Sequence, residues 1–131
     1  MKDIFKNIDS SLEYFLQLGN EALDKSREIT KNINFADSNL KKDGSLITKY
    51  DLITEEKIFE ILNKSDADIV TEEILSKENN SDYCWYVDPI DGTTSFSKGI
   101  PLYGTILGLT FKGIPIMGLI DILNLTIDTY L

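Results

Sequence analysis

Two carboxylates stand three residues apart, at Asp88 and Asp91, directly after a short apolar run that reads as a strand. Pro89 follows the first of them. Because proline fixes its own φ and lacks a backbone N–H, it predicts that the strand ends there and that both carboxylates can point into one space. Paired carboxylates in a chain without any histidine offer the hard oxygen ligands that Mg²⁺ prefers. Taken alone, an Asp-x-x-Asp pair is more often a solvated turn.

The residues that follow this pair could bind an anion. Gly92 lets the backbone approach a ligand closely, and residues 93–98 are predicted to form a short helix that stops at Gly99. The N–H groups of Gly92, Thr93 and Thr94 would then lie at a helix N-terminus, where anions bind. By themselves the threonines are more often helix caps. A metal site beside an anion site is, however, the arrangement that phosphoryl chemistry uses.

Two further acidic elements carry less specific signals. Glu72 and Glu73 follow the short apolar pair Ile69-Val70. Adjacent acids are normally surface charge, although acids at the end of a strand can also face a cleft. Asp51 lies three residues after Thr48, and this spacing predicts a capping box at the start of a helix.

The composition excludes several classes of function. The chain has 131 residues, of which 42% are hydrophobic and 10% aromatic, so it should fold as one domain or as part of one. Thirteen Lys and Arg against 22 Asp and Glu give a net charge of −9, which argues against binding to nucleic acid or to anionic membranes. The absence of histidine excludes Ser-His-Asp and Cys-His mechanisms.

The same inventory predicts a cytoplasmic location. Cys84 is the single cysteine, so no intramolecular disulfide can form, which suits a reducing compartment. The first residues lack the apolar core of a signal peptide. No apolar run is long enough to span a bilayer.

The spacing of apolar residues predicts the helices and strands that must position these acidic residues. Apolar residues recur at helical spacing from Ile8 to Ile33 and predict a long amphipathic helix. A second helix is predicted from Thr48 to Leu62, and residues 77–82 are predicted to form a loop. Strands are predicted at 68–71, 84–87, 103–111, 114–121 and 127–131, with a hairpin at Lys112-Gly113. Helices followed by a run of antiparallel strands predict an α+β fold, with two N-terminal helices packed on an antiparallel sheet.

The segment Asp88–Phe96 resembles the signature of the inositol monophosphatase family, which includes histidinol-phosphate phosphatases and 3′(2′),5′-bisphosphate nucleotidases. The segments Lys42–Asp51 and Glu72-Glu73 are similar to further family motifs. Gly99–Thr105 resembles the bacterial histidinol-phosphatase-like branch in particular. The resemblance covers essentially the whole chain but only the first half of the family's usual pair of domains.

The resemblance implies specific metal ligands. Glu72, Asp88 and the backbone carbonyl of Ile90 would hold a first Mg²⁺. Asp88 and Asp91 would share in holding a second. A further metal-binding aspartate would come from the C-terminal half of the family, so residues 1–131 would form an N-terminal metal- and phosphate-binding domain with the C-terminal domain absent.

The resemblance also implies the roles of the remaining residues. Asp51 and Thr93 would orient and deprotonate the metal-bound water that attacks phosphorus, and the N–H groups of Gly92 and Thr93 would bind phosphate oxygens. The implied function is Mg²⁺-dependent hydrolysis of a small phosphate monoester, an inositol phosphate or histidinol phosphate. A nucleotidase is the alternative enzyme.

The predicted strand at 127–131 runs to the final residue, which fits either an interrupted domain or a short natural edge strand. An interrupted domain would be one half of a split enzyme, completed by a complementary C-terminal polypeptide or by a homodimer. It could equally be a non-catalytic remnant that binds a partner through an unpaired sheet edge.

Overall fold

The computed structural model describes residues 2–31, 45–73, 75–92 and 103–123, with side chains described within 11–31, 50–73, 75–92 and 103–122. Two helices precede five strands, so the predicted order of elements is confirmed. The elements are α1 (Lys2–Lys31), α2 (Ser45–Leu62), β1 (Asp68–Thr71), β2 (Ser76–Lys77), β3 (Tyr83–Asp91), β4 (Tyr103–Phe111) and β5 (Ile114–Leu123). The helix predicted at 93–98 and the strand predicted at 127–131 lie outside the described residues.

The helix α1 covers most of the predicted span, but it runs from Lys2 to Lys31 rather than from Ile8 to Ile33. Its core residues are Phe15, Leu18, Ala22 and Leu23, and the intervals of three and four residues between them place these side chains on one face. Because the same face continues into the buried Ser26, α1 also brings a hydroxyl group against the sheet.

The helix α2 begins three residues earlier than predicted. It starts at Ser45 rather than at Thr48, so Thr48 is the fourth helical residue and the predicted capping box with Asp51 is wrong. Serine is itself favoured at a helix N-terminus, so the sequence pattern is equally compatible with the earlier start. Asp51 consequently lies in the second turn of α2, where it plays no part in capping the helix.

The strands form one sheet in the order β2-β1-β3-β4-β5. β1 and β3 are parallel, whereas the other neighbouring strands are antiparallel. The predicted antiparallel sheet is therefore corrected to a mixed one. The physical reason is β2, which pairs with the outer edge of β1 and returns the chain to the start of β3. Lys77, predicted to lie in a loop, belongs to this short strand.

The strand β3 continues through the proline that was predicted to end it. It runs from Tyr83 to Asp91 rather than from Cys84 to Val87. Asp88 pairs with Ile106 and Asp91 pairs with Gly104, so β3 uses one residue more than β4 over this interval. The extra residue makes a β-bulge, which is one of the few places where a strand tolerates proline.

The predicted hairpin between β4 and β5 is confirmed. Its two turn residues, Lys112 and Gly113, have φ angles of 49° and 81°, as a type I′ turn requires. Glycine adopts such an angle without steric cost.

Both helices pack on one face of the sheet. Trp85, at the centre of β3, is fully buried, and its ring centroid lies 6.0 Å from that of Phe15 on α1. The opposite face exposes Val70, Tyr86 and Ile120. Neither described helix has the length and apolar character needed to cross a membrane.

Candidate metal and phosphate site

The acidic residues meet at the carboxyl ends of β1 and β3. Because these strands are parallel, with Thr71 opposite Val87, the residues that follow each strand pair emerge at the same edge of the sheet. The backbone N–H of Glu72 donates a hydrogen bond of 3.0 Å to the carbonyl of Val87. Glu72 is therefore fixed beside Asp88, whereas its position in the sequence left open whether it is surface charge or faces a cleft.

The carboxyl group of Asp88 is the centre of this cluster. It is half-buried, and its Oδ1 atom has no hydrogen-bond partner among the described residues. Burial raises the pKa of Asp88 well above its ordinary value, and hydrogen bonding and charge repulsion from Glu72 and then Asp91 raise this pKa further. Glu72 is exposed but remains within hydrogen-bonding range of Asp88.

Asp51 faces the same cluster from α2. Its side chain is only 6% exposed, and within the part of the chain that the structure describes its Oδ1 atom also lacks a hydrogen-bond partner. Burial raises the pKa of Asp51 to about 7, with further contributions from the charges of Glu73, Glu72 and Glu55. The second turn of α2 thus brings a carboxyl group that ionises near neutral pH against the acids of the sheet edge.

The charge and chemistry of this cluster fit a divalent cation. Among the described residues, Lys and Arg form ion pairs only with acids outside the set Asp51, Glu72, Asp88 and Asp91. Buried oxygens without a partner are costly in the protein alone, and hard oxygen donors suit Mg²⁺. As they stand, no three acidic side chains of the described residues are arranged to enclose an ion, so full coordination requires their side chains to rotate.

Glu55 is a contributor that the sequence analysis missed. It is 1% exposed, and its Oε1 and Oε2 atoms accept hydrogen bonds of 2.9 and 3.3 Å from the N–H groups of Glu73 and Leu75. It therefore clamps the segment after β1 that carries Glu72. The signal available in the sequence is its spacing of four residues from Asp51, which places both acids on one face of α2.

The predicted phosphate-binding residues begin at the end of β3. Ile90 is buried and Asp91 is exposed. Gly92 follows with a φ angle of 84°, which only glycine adopts readily, so a turn occurs directly after the Asp pair. Thr93 lies outside the described residues, and its predicted roles stay predictions.

The sequence matches the family model described as "Inositol monophosphatase family" over residues 11–125. It is 39% identical over 122 residues to a protein named bifunctional phosphatase IMPL2, chloroplastic, of Arabidopsis thaliana, covering 86% of this chain and 34% of that protein. It is 32% identical over 112 residues to a histidinol-phosphatase of Chlorobaculum parvum, covering 81% of this chain and 43% of that protein.

The fold agrees with these relatives. The structure of an inositol monophosphatase from Anabaena matches with a TM-score of 0.70 and 27% sequence identity, covering 86% of this chain and 41% of that chain. The chain thus spans less than half of the length of each of these three proteins. The matched residues include β1, the bulged strand β3 and its carboxylates. This chain belongs to the inositol monophosphatase family.

Proposed function

We propose that this chain supplies the metal- and phosphate-binding part of a Mg²⁺-dependent phosphatase that hydrolyses small phosphate monoesters. The observation that carries the proposal is the acidic cluster at the ends of β1 and β3. There, Asp51 and Asp88 each present one buried oxygen without a hydrogen-bond partner in the described part of the chain, next to further acids. Such a site is neutralised either by protons or by a bound cation, and its hard oxygen donors suit Mg²⁺.

Four groups would hold the metal. Glu72, Asp88 and the carbonyl of Ile90 would hold a first ion, and Asp88 and Asp91 would hold a second. When bound, Mg²⁺ neutralises charge on the phosphate and stabilises the charge that develops in the transition state. The exposed position of Asp91 and the half-buried position of Asp88 leave the pair accessible to a substrate.

Asp51 is suited to act as the general base. A base works best when its pKa lies near the working pH. In the metal-free chain, burial together with neighbouring charges raises the pKa of Asp51 to about 7, and a bound cation would lower this value. Asp51 would accept the proton of the attacking water, with Thr93 orienting that water. The turn at Gly92 would direct its N–H and that of Thr93 at the phosphate oxygens, at no steric cost to the backbone.

The proposed substrates are inositol phosphate and histidinol phosphate. Support comes from the relatives named inositol monophosphatase and histidinol-phosphatase. The chain spans 34–43% of the length of three curated relatives that it matches. A further metal ligand and the contacts that select the substrate would therefore lie outside these 131 residues, for example on a complementary polypeptide or a second copy.

Mg²⁺ binding tests the first part of the proposal. We expect calorimetry to detect Mg²⁺ binding by the wild-type chain and a loss of about tenfold or more in affinity for Asp88→Asn. Asp66→Asn is the matched control, because Asp66 is exposed and precedes β1 at the end opposite the cluster. A wild-type chain that binds no Mg²⁺ at millimolar concentration contradicts the proposal.

Phosphate release tests the second part. With millimolar Mg²⁺ and either substrate, we expect residues 1–131 alone to be nearly inactive, because the resemblance places a further carboxylate ligand of the second ion outside them. Robust turnover that disappears in Asp88→Asn would confirm the phosphatase and refute the need for a complementary polypeptide. Turnover that persists in Asp88→Asn identifies a contaminating enzyme.

A further inference from the structure

The bulge in β3 leaves Pro89 and Ile90 outside the regular residue pairing with β4. Because Asp88 pairs with Ile106 and Asp91 with Gly104, Thr105 is the single residue of β4 that faces both Pro89 and Ile90. A bulge disrupts the ladder locally. Pro89 is fully buried, so its carbonyl oxygen must find a partner within the protein.

Thr105 provides that partner through its side chain. Its Oγ1 atom donates a hydrogen bond of 2.9 Å to the carbonyl oxygen of Pro89, and the Thr105 side chain is completely buried. The same Oγ1 atom is hydrogen-bonded to the Oγ atom of Ser26 on α1, which is also completely buried. Three elements, α1, β4 and β3, are therefore joined by one chain of hydroxyl groups.

The direction of this chain follows from counting protons. A carbonyl oxygen only accepts, and a hydroxyl group has one proton to donate. The proton of Thr105 therefore points to Pro89, and Ser26 must donate to Thr105. The hydroxyl group of Thr30, one turn later, donates to the backbone carbonyl of Ser26 at 2.9 Å, which ties the next turn of α1 to this position.

We propose that Thr105, oriented by Ser26, is a positioning residue that fixes the backbone between Asp88 and Asp91 and thereby sets the relative placement of the two carboxylates. Without the hydroxyl group, the buried carbonyl of Pro89 loses its partner and the bulged segment gains freedom to shift. The inference rests on the proposed function only for the role of these carboxylates as metal ligands.

A carbonyl signal tests the contact without any metal. The chain contains three prolines, so labelling with carbonyl-¹³C proline gives three signals, and the Pro101 and Pro115 signals are assigned with alanine variants. In the metal-free chain we expect Thr105→Val to move the Pro89 signal upfield and to speed amide exchange at Asp91. Thr105→Ser keeps the hydroxyl group and should restore both properties.

Metal affinity tests the consequence. We expect Thr105→Val to weaken Mg²⁺ binding about tenfold and Ser26→Ala about threefold, with Thr105→Ser within twofold of wild type. Thr110→Val is the matched control, because Thr110 makes the same type of contact between the same strands, to the carbonyl of Cys84 at 3.5 Å, away from the cluster. It should leave Mg²⁺ affinity unchanged.

The outcomes separate this inference from the proposed function. An unmoved Pro89 signal in Thr105→Val, or equal Mg²⁺ affinities for the Thr105→Val and Thr110→Val variants, overturns the positioning role. A wild-type chain that binds no Mg²⁺ overturns the proposed function, while the carbonyl signal and amide exchange still decide the positioning role. If Thr105→Val does not fold, Ser26→Ala and Thr105→Ser decide it in the same assays.

Discussion

Raising the pH in the absence of divalent cations should destabilise this chain, because ionisation leaves Asp51 charged in a buried position beside other acids. The pKa of Asp51 is raised from its ordinary value of 3.8 to about 7. Between these two values the folded chain keeps a proton that the unfolded chain has released. The Asp51 contribution to the free energy of unfolding therefore falls as the pH rises through this window and levels off above it, and the raised pKa of Asp88 extends the fall to higher pH.

The size of the effect follows from the shift. One pKa unit corresponds to about 1.4 kcal/mol, so the full shift of Asp51 would correspond to about 4 kcal/mol. The neighbouring Glu72, Glu73 and Asp91 are exposed, and water reaches the cluster from their side. Solvent screening on that side reduces the expected loss for Asp51 to about 1–2 kcal/mol.

Urea unfolding at several pH values measures this loss. The chain has one tryptophan, and Trp85 is fully buried in the core, so its fluorescence reports global unfolding. In a chelator, the wild type should lose about 1–2 kcal/mol through Asp51 between about pH 4.5 and pH 8, with a further loss through Asp88, whose pKa is also raised. Asp51→Asn cannot ionise at this position, so its loss should be smaller by most of that amount, while Asp66→Asn should follow the wild type.

Mg²⁺ supplies the second half of the test. A cation among the acids replaces repulsion with attraction and lowers their pKa values. Millimolar Mg²⁺ should therefore remove most of the loss seen at high pH and stabilise the chain more at about pH 8 than at about pH 5. Stability that rises with pH in chelator, or an unchanged pH dependence in Asp51→Asn, would refute the reasoning.

Three further substitutions test the surroundings of the cluster. Glu55→Gln replaces a carboxylate that accepts two backbone hydrogen bonds, so urea unfolding should show a loss of about 1–3 kcal/mol and calorimetry a weaker Mg²⁺ affinity. Gly104→Ala would place a Cβ atom 2.4 Å from the backbone oxygen of Asp121, and should cost about 1–3 kcal/mol in urea unfolding. Asp91→Asn should weaken Mg²⁺ binding in calorimetry more than Asp121→Asn, because Arg27 holds the Asp121 carboxylate.

Each of these substitutions has a matched control or an opposing outcome. Glu56→Gln changes an exposed neighbour of Glu55 and should leave both measurements unchanged. Gly118→Ala adds a Cβ atom with no atom within 4 Å, so it should be nearly neutral. Equal stabilities for the two glycine variants, or equal Mg²⁺ affinities for the two aspartate variants, would contradict the corresponding prediction.

Local sequence signals were sufficient for the elements whose pattern is decided locally. The spacing of apolar residues predicts α1. Lys112-Gly113 predicts the β4–β5 hairpin because a two-residue connection ending in glycine suits a tight turn. The parallel pairing of β1 with β3 could not be predicted, because it depends on β2, a strand of two residues with no periodicity of its own. The full length of β3 could not be predicted for a similar reason, because the bulge around Pro89 depends on the pairing of β3 with β4.

The residues of the candidate site show the same difference between local and long-range signals. Asp88, Asp91 and Gly92 stand together in the sequence and can be singled out there. Asp51 and Glu55 are far in sequence from Asp88 and Asp91. They join the cluster only because α2 packs over the end of β1. Sequence spacing alone assigned Asp51 to a helix cap, because a cap is a local interaction, whereas its raised pKa arises from burial and from acids on another element.

Several departures from local rules lie at the candidate site. A proline inside a strand, a glycine with positive φ and two carboxylates that each keep one oxygen without a hydrogen-bond partner among the described residues lie within or beside the cluster. The raised pKa values indicate that ionising the two carboxylates is unfavourable in the protein alone, and such departures are expected where function sets the requirement. A bound cation would coordinate the carboxylate oxygens that lack hydrogen-bond partners. The same cation would also neutralise the charge repulsion among the acids. Folding and cation binding should therefore be coupled in this chain, with the cluster kept destabilised until the cation arrives.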